Sequence, residues 1–318
     1  MKRTFVFLVP LVLIVAFAAY YYRSYWIPLL SLQNSSGSIK IVAPQLSHKK
    51  DIVVVAAGDI ACNSEKQTAS ECYQKETAQL TSTVNPDAVL LLGDIQYENG
   101  SIQEFVYFDK AWGKFKDKSF PVPGNHEYQT PNAEGYFQYF GARAGEKGKG
   151  YYSFNLGSWH VIALNSNCWA IKGCSLDDPQ AQWLLSDLKN NSKKCTLAMW
   201  HHPFVSASTH GNSEFMDDIW DILYKNGADL VLVGHDHVYE RFAPMDSNGN
   251  TDKNGIREFV VGTGGRSLYP FKTKPATLEA SQNTIYGVLK LKLSENGYSW
   301  DFVGVDPTFK DSGQDLCH

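Results

Sequence analysis

AVLLLGDIQY, from Ala88 to Tyr97, is a run of five apolar residues that stops at a glycine, continues to an acid and reaches a phenol three positions later. A short aliphatic run closed by glycine reads as a buried strand. Asp94 and Tyr97 therefore stand just past a strand end. The same construction recurs along the chain: Ile52 to Ala57 before GDI (Gly58 to Ile60), Phe120 to Pro123 before GNHE (Gly124 to Glu127), Thr196 to Met199 before WHHP (Trp200 to Pro203), and Leu230 to Val233 before GHDH (Gly234 to His237). Open α/β sheets place their sites at such strand ends. Together the five segments supply two aspartates, a tyrosine, an asparagine and at least three histidines, enough to hold two metal ions.

A lone GD or GNH after a strand is ordinary turn chemistry. All five segments in this order are not. They resemble the motifs of the calcineurin-like metallophosphoesterases: GD, GDxxY, GNH followed by an acid, a histidine motif and GHxH. Tyr97 and the run GHDHVYER from Gly234 to Arg241 make the chain similar to the purple acid phosphatase branch. The resemblance covers roughly residues 51–305. It implies a four-layer α/β/β/α sandwich of two mixed β-sheets flanked by helices, which the strand and helix pattern also favours. It further implies that Asp59, Asp94, Tyr97 and His237 bind one metal and that Asp94, Asn125, His201 and His235 bind a second, with Asp94 as the bridge.

These residue types suit the chemistry. Two cations about 3.5 to 4 Å apart clamp phosphoryl oxygens and lower the pKa of a bound water. Two carboxylates and a phenolate form a hard anionic site that suits iron(III), whereas the softer imidazole-rich set suits zinc, manganese or iron(II). Beyond the ligands, His126 and His210 are the candidates for contacting substrate and donating a proton. His210 lies nine residues after His201 and matches a family active-site histidine, and Glu127 is placed as the carboxylate partner of His126. His202 is assigned a structural or rim role, His160 to structure, and Glu240 with Arg241 to a supporting ion pair.

Three decoys fall away. His126-Glu127 is not HExxH, because Thr130 stands where the second histidine belongs. Asp246 to Gly255 alternates acids and amides like a calcium loop but has Thr251 in place of the glycine and Arg257 in place of the terminal glutamate, so it reads as a hairpin turn. GTGG at Gly262 to Gly265 reads as a tight turn near the site.

The chain has 318 residues and a net charge of −4, with no run of like charges. That argues against nucleic acid as a partner. Residues 1–26 carry Lys2 and Arg3 ahead of an apolar stretch from Phe5 to Tyr22. Ala16-Phe17-Ala18 fits a signal cleavage site, while Tyr20, Tyr21, Tyr22, Tyr25 and Trp26 suit an uncleaved anchor at a membrane interface. Either places the enzyme outside the cytoplasm, anchored to a membrane or secreted. Residues 27–50 read as a linker, 51–305 as the catalytic domain and 306–318 as a C-terminal tail. Six cysteines fit an oxidising compartment. They permit fifteen pairings. The simplest closes two short loops, Cys62 to Cys72 and Cys168 to Cys174, and clasps the tail through Cys195 and Cys317.

The expected function is a dinuclear-metal acid phosphatase that hydrolyses small phosphate monoesters by attack of a metal-bound hydroxide. The alternative is a phosphodiesterase or nucleotide hydrolase using the same site. A binding module that has lost its chemistry would show degraded ligands, and none is missing.

Overall fold

The structure, a computed structural model, describes residues 51–64, 68 and 71–318. The expected anchor or signal at 1–26 and the linker at 27–50 lie outside the described residues. Among the described residues no helix is long and apolar enough to cross a membrane.

Two sheets face each other. The first takes β1 (Ile52–Ala57), β2 (Ala88–Leu92), β3 (Ser119–Val122), β11 (Gly287–Leu293), β12 (Gly297–Gly304) and β13 (Ser312–Leu316) in the order β13-β12-β11-β1-β2-β3. The second takes β4 (Tyr152–Leu156), β5 (Trp159–Ala163), β6 (Cys195–Met199), β7 (Leu230–Val233), β8 (Tyr239–Phe242), β9 (Arg257–Val261) and β10 (Leu278–Gln282) in the order β10-β8-β9-β7-β6-β5-β4. β1, β2 and β3 run parallel, as do β5, β6, β7 and β9, while β4, β8, β10, β11, β12 and β13 join through antiparallel pairs. Both sheets are therefore mixed.

Alternation along the strands makes the layers. Val54, Leu90 and Phe120 of the first sheet meet Leu197, Leu232 and Phe259 of the second in the inter-sheet core. Their neighbours Val55, Val89 and Leu91 face outward onto α1 (Gln74–Val84), α2 (Phe105–Trp112) and α3 (Glu134–Phe140). On the far side Ala198, Val231 and Val260 pack under α4 (Pro179–Asn190) and α5 (Asp217–Lys225), whose Ile219, Trp220, Ile222 and Leu223 form one buried helical stripe. The four-layer α/β/β/α sandwich expected from the sequence is the observed fold.

The elements not anticipated are α3, β8, β10 and β13. Residues 306–318, expected as a tail, instead supply edge strand β13 against β12. Cys317 then fastens that end to β6 through Cys195. The other disulfides join Cys62 to Cys72 and Cys168 to Cys174, so the simplest of the fifteen pairings is the one present.

Candidate metal centre

All five motif segments leave the C-terminal ends of parallel strands, and the two sheets bring those ends together. Gly58 N–H donates to Val261 O at 2.9 Å, Asp59 N–H to Gly93 O at 3.1 Å and Gly234 N–H to His201 O at 2.9 Å, stitching the strand ends of both sheets side by side. The motif glycines are needed for this crowding. A Cβ on Gly93 would stand 2.5 Å from His201 Nδ1, and one on Gly124 would overlap Asp94 Oδ1. Asp59, Asp94 and His235 hold positive φ angles of 58°, 45° and 70°. Left-handed backbone costs a non-glycine residue about 1 kcal/mol or more and concentrates at functional sites.

Asp94 is the hub. The Tyr97 hydroxyl donates 2.8 Å to Asp59 Oδ1 and lies 3.1 Å from Asp94 Oδ2 and 2.9 Å from His237 Nε2. On the other side, His201 Nε2 lies 3.3 Å from Asp94 Oδ2, 3.2 Å from Asn125 Oδ1 and 3.2 Å from His235 Nδ1. His201 donates its Nδ1–H to Leu92 O at 2.8 Å, and His237 donates its Nδ1–H to Ser267 O at 2.5 Å. Each such bond fixes the tautomer and leaves the Nε2 lone pair aimed inward. Asp59, Asp94 and His201 offer ligand atoms within 4.8 Å of one another, and so do His201, His202 and His235.

A cluster of lone pairs with so few protons calls for positive charge. Burial opposes protonation of His201, yet Asp94, with Asp59 behind it, lifts its pKa to about 9. Burial likewise opposes ionisation of Asp94, but His201 and His126 hold it well below the carboxylate range. Burial and then the Asp59 and Asp94 charges push the Tyr97 phenol well above its ordinary value. Burial, with His201 and His202 alongside, keeps His235 well below the usual imidazole range. The charge on Asp94 and Asp59 thus calls for a positive partner at this spot. Cations there fit the donor set, with two carboxylates and a phenol on one side and two imidazoles and an amide oxygen on the other.

His126 sits over the Tyr97 ring at 4.3 Å, with its Nε2 3.9 Å from Asp94 Oδ2. Its Nδ1–H donates to Glu98 O at 2.6 Å. The expected pairing of His126 with Glu127 is therefore replaced by a backbone partner. Glu127 is fully buried and instead accepts four N–H groups, from Asp94 at 2.9 Å, Ile95 at 2.9 Å, Gln96 at 3.1 Å and Gly124 at 2.8 Å. It braces the backbone that carries Asp94. His210 is exposed, and its ring stacks on His235 at 4.3 Å.

Ser166 Oγ accepts the His201 and His202 N–H groups, so its hydroxyl proton goes to His202 Nδ1, 2.7 Å away. That leaves the His202 proton on Nε2, a donor at the rim. Buried His160 bonds Asp187 at 2.6 Å, away from the centre. Glu240 and Arg241 do not pair, because successive strand residues point to opposite faces. Arg241 binds Asp311 and Glu279 instead. The alternating acids and amides near Asp246 close a turn, with Asp246 Oδ1 accepting the N–H groups of Asn248 and Asn250. Gly264 N–H donates to Gly58 O, which seats GTGG beside the Asp59 strand end.

Two residues escaped the sequence reading. Tyr269 stacks on His237 at 3.9 Å, and the Arg266 guanidinium lies 5.2 Å from the Tyr97 ring centre while pairing with Glu98 and Glu71. Both follow GTGG in a segment with no motif of its own. Only the return of that turn beneath Asp59 could have located them.

The fold and this donor set define a metallophosphoesterase class, and the comparison with known proteins agrees. Residues 52–239 match the calcineurin-like phosphoesterase family, to which the chain belongs. Among curated relatives, purple acid phosphatase 15 of Arabidopsis thaliana is 28% identical over 219 residues, covering 57% of this chain and 40% of that protein. Acid phosphatase type 7 of Homo sapiens is 28% identical over 204 residues, covering 54% of this chain and 46% of that one. The chain thus spans about half the length of the curated relatives it matches, or less. Among solved structures, the purple acid phosphatase PPD1 from yellow lupin (Lupinus luteus) seeds aligns with a TM-score of 0.68 at 18% identity, over 88% of this chain and 55% of that one. GAP50 of Plasmodium aligns with a TM-score of 0.60 at 15% identity, over 83% and 88%. At these identities the structures speak for the fold.

Proposed function

We propose that this chain hydrolyses phosphate monoesters, as an acid phosphatase with two metal ions at the centre around Asp94. The observation that carries the proposal is Asp94 itself. Its carboxylate stands between a donor set of Asp59, Tyr97 and His237 and a second set of Asn125, His201 and His235, which would hold one cation each. When bound, such a pair supplies a clamp on the phosphoryl oxygens and an activated water. The phenol between two carboxylates supports iron(III) in the first set, with zinc, manganese or iron(II) in the second.

The chain's own groups supply the rest. His126, with its Nδ1–H held by Glu98 O, presents Nε2 beside Asp94. Exposed His210 faces incoming substrate from the opposite side, against His235. Either ring can donate an N–H to a phosphate oxygen, and we assign to His210 the proton that the leaving oxygen takes up. Tyr128, Trp169 and Phe215 flank this mouth, Trp169 against Tyr128 and Phe215 against His202. A small phosphorylated substrate is the partner that fits. Three disulfides support an oxidising, extracytoplasmic compartment. The apolar stretch from Phe5 to Tyr22 supports export, either as a cleaved signal or as a membrane anchor.

The test is metal content together with initial rates on an aryl phosphate and on its bis-aryl diester. Two metals per chain and a faster monoester are expected, with both metals and activity lost in Asp94→Asn. A faster diester would move the assignment to a phosphodiesterase. Activity that survives complete metal removal would refute the dinuclear reading.

A further inference from the structure

Between His202 and Ser213 the chain forms neither helix nor strand, yet most of it is buried and only Thr209, His210 and Asn212 are exposed. Buried backbone must find hydrogen-bond partners. Here they are carboxyl groups. Glu258 accepts Phe204 N–H at 2.8 Å and Val205 N–H at 3.0 Å, Glu240 accepts Ala207 N–H at 3.0 Å, and Asp236 accepts His210 N–H at 3.0 Å and Gly211 N–H at 3.3 Å. Local side chains take two more, Ser206 N–H going to Asn212 Oδ1 and Ser208 N–H to Ser206 Oγ.

The three acids are fully buried and come from rigid positions. Glu258 lies in β9, Glu240 in the neighbouring β8, and Asp236 between His235 and His237. A buried carboxyl group is costly, and an apolar residue would fill a strand position with no such penalty. What these acids provide is a fixed template for a loop that has little backbone pairing of its own. That loop ends in His210, with its ring on His235.

We propose that Glu258 and Glu240 are positioning residues for His210, holding the loop Phe204 to Gly211 so that its imidazole reaches the leaving oxygen. The proposal rests on the phosphatase reading above. Asp236 couples the end of this template to the metal ligands on either side of it. In Glu258→Gln the side chain keeps its size, but its NH2 cannot accept one of the two N–H groups that the carboxyl oxygens take singly. Glu240 uses only one oxygen on the loop, which an amide would reproduce, so Glu240→Leu is the variant that removes its acceptor. Either change releases the loop at one anchor while the ligand-bearing strand ends stay in place. General acid help is worth about 10²- to 10⁴-fold, and a displacement of about 1 Å can forfeit about 10²-fold of it.

The experiment measures kcat/KM for an activated aryl phosphate and for an alkyl phosphate, with metal content, in wild type, Glu258→Gln, Glu240→Leu and His210→Ala, and in each Glu variant combined with His210→Ala. Both Glu variants should keep two metals. Each should lose at least about tenfold more rate on the alkyl than on the aryl ester, because a poor leaving group needs its proton most. Neither substitution should add to the loss once His210 is gone. Equal losses on both esters, losses that multiply with His210→Ala, or unimpaired alkyl hydrolysis would each overturn the positioning role. The two carboxyl groups are tested separately, so the outcome does not hang on one variant's folding. Wild-type protein inactive on both esters would instead overturn the phosphatase reading, and the inference with it.

Discussion

Replacing Glu127 by glutamine should unfasten the metal centre from beneath. The side chain is fully buried, one oxygen accepting the N–H groups of Ile95 and Gln96 and the other those of Asp94 and Gly124. Glutamine keeps the volume but turns one oxygen into an NH2, which faces two N–H donors whichever way the amide is turned. Two buried donors then lose their acceptor at about 1 to 3 kcal/mol each. The sum, about 2 to 6 kcal/mol, is a large share of the roughly 5 to 15 kcal/mol by which a domain is stable. Urea unfolding of metal-stripped wild type and variant isolates this term from metal linkage. Metal analysis of the unstripped proteins should then show the variant below two ions per chain, because Asp94 rides on the freed backbone. A variant within about 0.5 kcal/mol of wild type and fully loaded with metal would refute the bracing role.

Tyr97→Phe should abolish any phenolate-to-iron absorption band of the purified protein while the fold persists. A colourless, active wild type holding only zinc or manganese would remove iron from the proposal. Breaking the Cys195–Cys317 disulfide, whose residues are 122 apart in sequence, should cost about 4 to 5 kcal/mol in the chain-entropy account and free β13 for early proteolysis, whereas unchanged stability would show the edge strand holding without its clasp. Burial, reinforced by Glu240, overrides the Phe204 and Val205 N–H groups and raises Glu258 from 4.5 to about 8. Between those values the folded chain binds more protons than the unfolded one, so this group's contribution falls as pH rises, by up to about 1.4 kcal/mol per unit. Urea titrations from pH 5 to 8 should therefore show wild type losing stability relative to Glu258→Gln, and a pH-independent gap would contradict the shift.

The strands that carry the candidate ligands were legible in sequence because each is a short apolar run with an abrupt end. Ile52–Ala57, Ala88–Leu92 and Leu230–Val233 emerge at the limits read from the sequence. That signal is local, and so are the ligand types that follow it. The cysteines were legible for a related reason: separations of 10 and 6 residues close without long-range help, which left Cys195 for Cys317. By contrast, Tyr239–Phe242 and Leu278–Gln282 pair with each other and are half polar, and Ser312–Leu316 exists as a strand only against β12. Ser312–Leu316 pairs with the strand just before it and Tyr239–Phe242 with the strand just after it, yet nothing in their own residues announces a strand.

The site divides along the same line. Sequence by itself determined which residues can ligate a metal and which family pattern they follow, because side-chain chemistry and motif order are properties of the chain. Tertiary structure alone decided what the buried acids do. Glu127 was read as a partner for His126 from adjacency, and Glu240 as a partner for Arg241 on the same ground. In three dimensions Glu127 collects four backbone donors, while Glu240 and Glu258 collect those of the His210 loop. The physical reason is that a buried N–H must be satisfied by whatever acceptor the packing brings to it. No periodicity encodes which distant carboxyl group that will be.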